Sequence, residues 1–277
     1  MSAVSFKKPL LRFNPAHHPN TDESDKLGKP EAKKPAGGFG HPVRVIATTL
    51  ALFLISQLIA ALVIGLILGI SRPGVPVDRI LAGSAAAQFF YVLLAEGIAV
   101  GSMYLIISRR RLSLSKIGLG RRPVWRDLKT ALAGFAIFYG LLIITTIIIS
   151  YLIPSFDLDQ VQDVGFDSLN SSFDKLIAFS ALVVLAPIGE EILMRGYLYS
   201  GLRAAWNFLP ALIATSLLFG LAHLEFGNDA PLVWVAAMNT FILSVVLVYV
   251  REKTAALYAC MVIHMLNNSV AFLVHFA

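Results

Sequence analysis

The sequence predicts an all-α protein: a polytopic transmembrane helical bundle of about seven spans, with a polar cavity formed by the C-terminal four. Three observations predict it. Of 277 residues, 57% are hydrophobic and 14% charged, against about 25% charged in an ordinary soluble domain. Apolar segments recur at 45–70, 81–107, 130–153, 176–202, 208–224, 231–250 and 255–275, most of them near or above the ~20 residues that a spanning helix needs. Three of the last four segments carry ionisable or amide side chains at helical spacing, and such residues inside a span face a bundle interior or a cavity.

Ahead of the first segment, residues 1–42 are rich in Lys, Pro and Gly and almost without apolar periodicity. They read as a disordered basic tail, too poor in apolar surface to order itself. His17 and His18 inside it lack a third ligand and do not make a metal site. The first apolar run begins after Arg44 and is too long for the core of a signal peptide, so it reads as an anchor. Residues 43–277 then form one membrane-embedded domain, with the chemistry expected in 170–277.

Orientation follows from the connections. The second, RRRLSLSKIGLGRRPVWRDLK, is strongly basic, while the third, SFDLDQVQDVGFDS, has acids and no base. Basic loops stay cytoplasmic. The tail is therefore expected inside, Arg251 and Lys253 inside, and the C-terminal LVHFA outside, with His275 at the outer interface. The net charge of +6 belongs to this topology and not to nucleic-acid binding. Gly65/Gly69 and Gly97/Gly101 form GxxxG spacings, expected to mark close helix contact. The fourth segment, which carries charge, and the fifth, short and with Pro210 near its start, are the weakest spans.

The fourth segment contains APIGEEILMRG. Glu191 and Arg195 are i,i+4 neighbours with the acid first, the favoured order for a pair along one helix face. Glu190 is rotated from Glu191 by about 100° and is left spare, the position of a tunable general base. In LLFGLAH, Phe219 and His223 are i,i+4, and in CMVIHMLNNS, His264 and Asn268 are i,i+4. Counted from Arg203, Asn207 and Lys253, Glu190, His223 and His264 lie roughly 20, 24 and 17 Å deep at 1.5 Å per residue. They can share one cavity. Glu96 is a further acid within a span, in helix contact or in a pathway. Cys260 lies four residues before His264 and reads as an inert buried thiol.

These motifs, Glu190-Glu191-x-x-x-Arg195, Phe219-x-x-x-His223 and His264-x-x-x-Asn268, in that order across the last four spans, resemble the CPBP family of intramembrane proteases, also called the Abi or CAAX-protease family, which includes the type II CAAX prenyl endopeptidases. The resemblance covers roughly residues 174–275, and the stretch VREKTAALYACMVIHMLNNSV also resembles the family's penultimate loop and last core helix. Ser244 and Val248 stand where members often have glycine, a departure that touches helix packing or substrate access. The resemblance implies an intramembrane endopeptidase with Glu190 as base, His223 orienting water or base, His264 and Asn268 stabilising the oxyanion, and Glu191, Arg195 and Phe219 in structural support. It also implies a cavity open to the cytoplasmic side.

Glu190, His223 and His264 could also ligate zinc, as a metalloendopeptidase requires. Asn268 tips the reading toward no metal, because an amide is a natural oxyanion donor and a poor zinc ligand. The expected partners are a membrane-associated peptide or protein substrate and the lipid bilayer, with no nucleic acid, in the cell membrane of a prokaryote with the N-terminus cytoplasmic. The rival reading is a non-enzymatic carrier or scaffold using the same Glu/His cluster. Against it, the chain shows no internal repeat and no paired broken helices.

Overall fold

The computed structural model describes residues 38–160, 162, 164–166, 169–224 and 233–276. The expected tail therefore lies almost wholly outside the described residues. The described residues from Pro42 onward are mostly helical. We number the helices α1 (Pro42–Ser71), α2 (Val77–Ala82), α3 (Ala85–Arg109), α4 (Trp125–Leu152), α5 (Ser172–Ala205), α6 (Phe208–Leu221), α7 (Trp234–Thr254) and α8 (Tyr258–Phe276). Among the described residues six of these are long and apolar enough to cross a membrane: α1, α3, α4, α5, α7 and α8.

The chain is an integral, multi-pass membrane protein. The difference from seven full spans is α6: its 14 residues rise about 21 Å, short of the ~30 Å of hydrocarbon. The fourth segment, expected to be weak, is instead the longest helix, 34 residues.

The helix starts follow from the local sequence. At α1, Pro42 supplies a preset φ at the first helical position, and His41 Nδ1 accepts from the Val43 N–H at 3.3 Å. At α5, Ser171 and Asp174 form a reciprocal capping box, with Ser171 Oγ accepting from the Asp174 N–H at 3.0 Å and Asp174 Oδ2 accepting from the Ser171 N–H at 2.9 Å. At α4, Asp127 accepts from the Val124 N–H and from both arms of Arg121.

Hydrogen bonds fix which helix ends share a face. The 110–124 connection docks on the α7–α8 turn: the Leu257 N–H donates to Gly118 C=O at 3.1 Å, and buried Arg251 donates to Lys116 C=O at 3.1 Å and Ser200 Oγ at 3.2 Å. Gly118 sits at φ +85°, and a side chain there would meet the Arg251 guanidinium at 2.9 Å. Beside it Glu252 accepts from Tyr199 Oη at 2.6 Å and Arg203 Nε at 3.0 Å. At the opposite face the 153–171 connection meets the start of α7, where Gln160 Oε1 accepts from the Val235 N–H at 3.4 Å, and Lys175 Nζ at the start of α5 donates to Phe276 C=O at the end of α8, 3.0 Å.

The GxxxG expectation is corrected. A Cβ at Gly69, Gly97 or Gly101 would have no neighbour within 4 Å, and one at Gly65 only Val77 at 3.9 Å. Close approach occurs instead at Gly220, where a Cβ would lie 2.9 Å from the Ala237 carbonyl oxygen. The bundle brings α6 against α7 there, and no described residue packs closely on the GxxxG glycines of α1 and α3.

Candidate active site

Two stretches of α5, Ser180–Leu185 and Ile192–Leu198, are π-helical and flank Ala186–Glu191. Such widened turns are rare and are frequent at functional sites. Pro187 follows the first of them. It has no N–H to donate, so the carbonyl five residues back, that of Leu182, has no partner in π register. Asn268 Nδ2 on α8 donates to that carbonyl at 2.9 Å. The proline that weakens α5 thereby supplies the acceptor that ties α8 to it. Asn267 Nδ2 donates in turn to Asn268 Oδ1 at 3.3 Å.

Glu191 and Arg195 pair as their spacing predicts: Arg195 Nη1 donates to Glu191 Oε1 at 2.7 Å, and both side chains are 0% exposed. The rest of the guanidinium lies over the Phe219 ring, with Cζ 4.1 Å from its centroid, a cation–π contact. Arg195 Nε and Nη2 have no hydrogen-bond partner among the described residues, so this ring face is their main compensation.

His264 joins the pair. Its Nδ1 lies 3.0 Å from Glu191 Oε1; a carboxylate oxygen accepts, so Nδ1 carries the hydrogen. The opposite ring nitrogen, Nε2, then faces Glu190 Oε2 at 3.7 Å. That gap exceeds a direct hydrogen bond and suits a water bonded to both from the side. Glu190 keeps 24% of its side chain exposed, and its Oε2 has no hydrogen-bond partner among the described residues.

His223 stands on the turn just past α6. Its Nδ1 is 2.9 Å from Phe219 C=O, which can only accept. This makes Nε2 of the neutral ring an acceptor, while the ring packs edge-on against Phe219 at 4.8 Å. Phe219 also meets the His264 ring at 5.8 Å. It is thus the hub on which Arg195, His223 and His264 rest.

Two cavities meet at this cluster. The larger, about 520 Å³, is lined by Glu190, His223, His264, Asn268, Asn267 and Asn239 among others. The smaller, about 230 Å³, lies among α1, α3, α5 and α6 and is lined by Glu190, His223, Phe219, Gln57 and Glu96. The fold thus gathers Glu190, His223, His264 and Asn268, which lie as much as 78 residues apart in the chain.

Sequence reasoning left Glu96 without a place. The structure sets its carboxylate against Gly189, where a Cβ would lie 1.8 Å from Glu96 Oε2. Its only sequence signal is an acid within a span. Pro187, Asn239 and Asn267 were likewise not singled out. Cys260 is fully buried, and its Sγ donates to Leu247 C=O at 3.3 Å; it lines neither cavity. Ser244 and Val248 are both fully buried in α7.

A zinc site needs three or more donor atoms converging at about 2 Å. Among the described residues no three His, Cys, Asp or Glu side chains are gathered in that way; Glu190, His223 and His264 line one cavity.

No curated protein and no solved structure matches the chain. One family model does, that of the Rce1-like family, described as type II CAAX prenyl endopeptidase Rce1-like, over residues 172–270. The matched stretch begins with α5, takes in α6 and α7, and ends within α8, so it contains every residue of the cluster except Glu96. Over residues 172–270 this chain matches the Rce1-like type II CAAX prenyl endopeptidase family, the one its three motifs resemble.

Proposed function

We propose that the protein is an intramembrane endopeptidase that hydrolyses peptide bonds of membrane-associated proteins or peptides, with Glu190 as general base and no metal. The observation that carries this reading is the division of labour between the adjacent glutamates. Glu191 is fully buried, with Oε1 held by Arg195 and His264, and lines neither cavity, whereas Glu190 is 24% exposed and lines both.

In the proposed reaction a water held between Glu190 Oε2 and His264 Nε2 gives its proton to Glu190 while its oxygen attacks the scissile carbonyl carbon. The carbonyl π electrons move onto oxygen, and the Asn268 amide, which has one N–H left after its bond to Leu182, stabilises the resulting oxyanion. His264, whose one N–H is held by Glu191, accepts from the attacking water at Nε2. Glu190 then returns the proton to the leaving nitrogen as the C–N bond breaks, and is a carboxylate again. His223 Nε2 positions the water or the base. The apolar walls strengthen each of these interactions by excluding competing water.

The fixed Nδ1 bonds of both histidines support the reading, since general acid–base groups work best with orientation and tautomer set in advance. The proposed setting is the cell membrane of a prokaryote, with the basic face in the cytoplasm.

The test is turnover of a quenched peptide panel by purified, well-folded protein in detergent, with and without chelator. Glu190→Gln keeps volume and removes the base, so the expected loss is about 10²- to 10⁴-fold with unchanged thermal stability. Activity should be insensitive to chelator. A Glu190→Gln protein with near-normal turnover overturns the mechanism, and loss on chelation restored by zinc overturns its metal-free form.

A further inference from the structure

The larger cavity is not symmetric between the two faces of the bundle. From Glu190 and His264 it runs along α8 to Val274, His275 and Phe276, and reaches Val235 at the start of α7 and Gln160 and Gln162 of the 153–171 connection. All of these lie at the face where Gln160 meets Val235 and Lys175 meets Phe276. No residue of the 110–124 connection or of the α7–α8 turn lines it. That opposite face carries Arg109, Arg110, Arg111, Arg121, Arg122 and Lys253 against Asp127 and Glu252, the charge bias that marks the cytoplasmic side. The smaller cavity comes nearest to the basic face at Thr49 and Leu198, each seven residues inside its helix end, about 10 Å. Its volume suits ordered water better than a polypeptide.

We infer that substrate reaches Glu190 from the non-cytoplasmic side, as an extended, uncharged polypeptide segment laid along α8 between His264 and Phe276. This rests on the endopeptidase reading and reverses the side of access that the family resemblance implies. The twelve residues from His264 to Phe276 rise about 18 Å, room for about five residues of extended chain at ~3.4 Å each. The wall is apolar at Phe138, Leu142, Leu243 and Phe272, and among the described lining residues neither Lys, Arg nor Asp occurs and Glu190 is the one carboxylate. Among these described residues no side chain but Glu190 carries a fixed charge to pair with a charged substrate side chain. Asn239 Oδ1 on α7 is buried and has no hydrogen-bond partner among the described residues, an acceptor placed for a backbone N–H of such a segment. The substrate class is therefore a translocated or membrane-spanning polypeptide, cut near its non-cytoplasmic end.

Labelling with a membrane-impermeant thiol reagent tests this on the full chain in right-side-out and inside-out membrane vesicles, since Cys260 is fully buried and gives little background. Leu114→Cys, exposed in the basic connection, reports orientation. Asn267→Cys reports the groove, with Thr240→Cys as the alternative should it fold poorly. Leu114→Cys should react only in inside-out vesicles. The groove cysteine should react at least ten-fold faster in right-side-out vesicles, and an uncharged decapeptide should slow it. Quenched-peptide turnover should appear from the same side. A groove cysteine that reacts equally or faster in inside-out vesicles overturns the proposal, and so does Leu114→Cys reacting from outside. Correct labelling with unchanged turnover in Glu190→Gln leaves the access route standing and removes the catalytic reading instead.

Discussion

Helices α1 and α7 are both membrane spans, and they are built on opposite principles. In α1, and in α4, only 11% of the most apolar window is buried by the rest of the chain; in α7 the share is 61%, and in α5 it is 44%. Yet α1 and α4 are the more apolar pair. In water the most apolar helix would be the most buried. In a bilayer the lipid is as apolar as leucine, so hydrophobicity does not drive a helix inward, and packing and polar contacts do. The two most buried spans carry Glu191, Arg195, Ser244 and Arg251, whereas of polar side chains α1 buries only the small hydroxyls Thr49 and Ser56 and α4 only Asp127 in its first turn. Between these two pairs, higher hydropathy goes with lipid contact and buried charge with protein contact.

The sharpest break of that comparison is Arg195→Ala. It leaves Glu191 buried without its cation and removes the stack on Phe219. Losing one partner of a buried pair costs about 3–5 kcal/mol, so folded yield and thermal stability should fall steeply. The double variant Glu191→Ala/Arg195→Ala removes both charges and should be less destabilised than Arg195→Ala alone, measured as a double-mutant cycle. Normal stability of the single variant would show that the pair does not hold the core.

The next effect separates the two kinds of apolar residue. Leu247 in α7 is 0% exposed and Ile147 in α4 is 63% exposed. Truncation to Ala should cost about 2–4 kcal/mol at Leu247, through lost contacts and a cavity, and within about 0.5 kcal/mol at Ile147. Comparable losses from thermal unfolding in one detergent would erase the distinction drawn between these helices.

The smallest effect compares glycines. Gly220→Ala drives a methyl group into the Ala237 carbonyl, a backbone atom that cannot swing aside, and should cost about 1–3 kcal/mol. It should also reduce turnover, because His223 lies on the turn that follows. Gly97→Ala places its methyl in open space and should be neutral or stabilising by up to about 1 kcal/mol through helix propensity. A Gly97→Ala protein that loses stability in proportion to its concentration would reveal a partner helix from a second copy on that face.

Much of this site could be read in the sequence because helical periodicity carries it. The i,i+4 spacing of Glu191 and Arg195 produces their ion pair, and that of Phe219 and His223 produces the ring contact and the Nδ1 bond. Their common depth also follows from a fixed rise per residue. What was not legible depends on contacts between distant segments. Glu96 touches Gly189, and His264 touches Glu191, across 93 and 73 residues of chain. The GxxxG spacings misled for the same reason: spacing states that a helix face is smooth, and says nothing of whether a neighbour lies on it.

By itself, then, the sequence determined that the chain is an all-helical membrane protein, that three motifs resemble those of one family, and which residues share a helix face, because composition, hydropathy and a 3.6-residue period are local properties. Only the tertiary structure decided that α6 stops short of a full span, that His264 stands between the two glutamates, and that the larger cavity leads away from the basic face. These depend on how helices lean against one another, and in lipid that is set by the sum of many close contacts and a few buried polar ones, none of which any single segment contains.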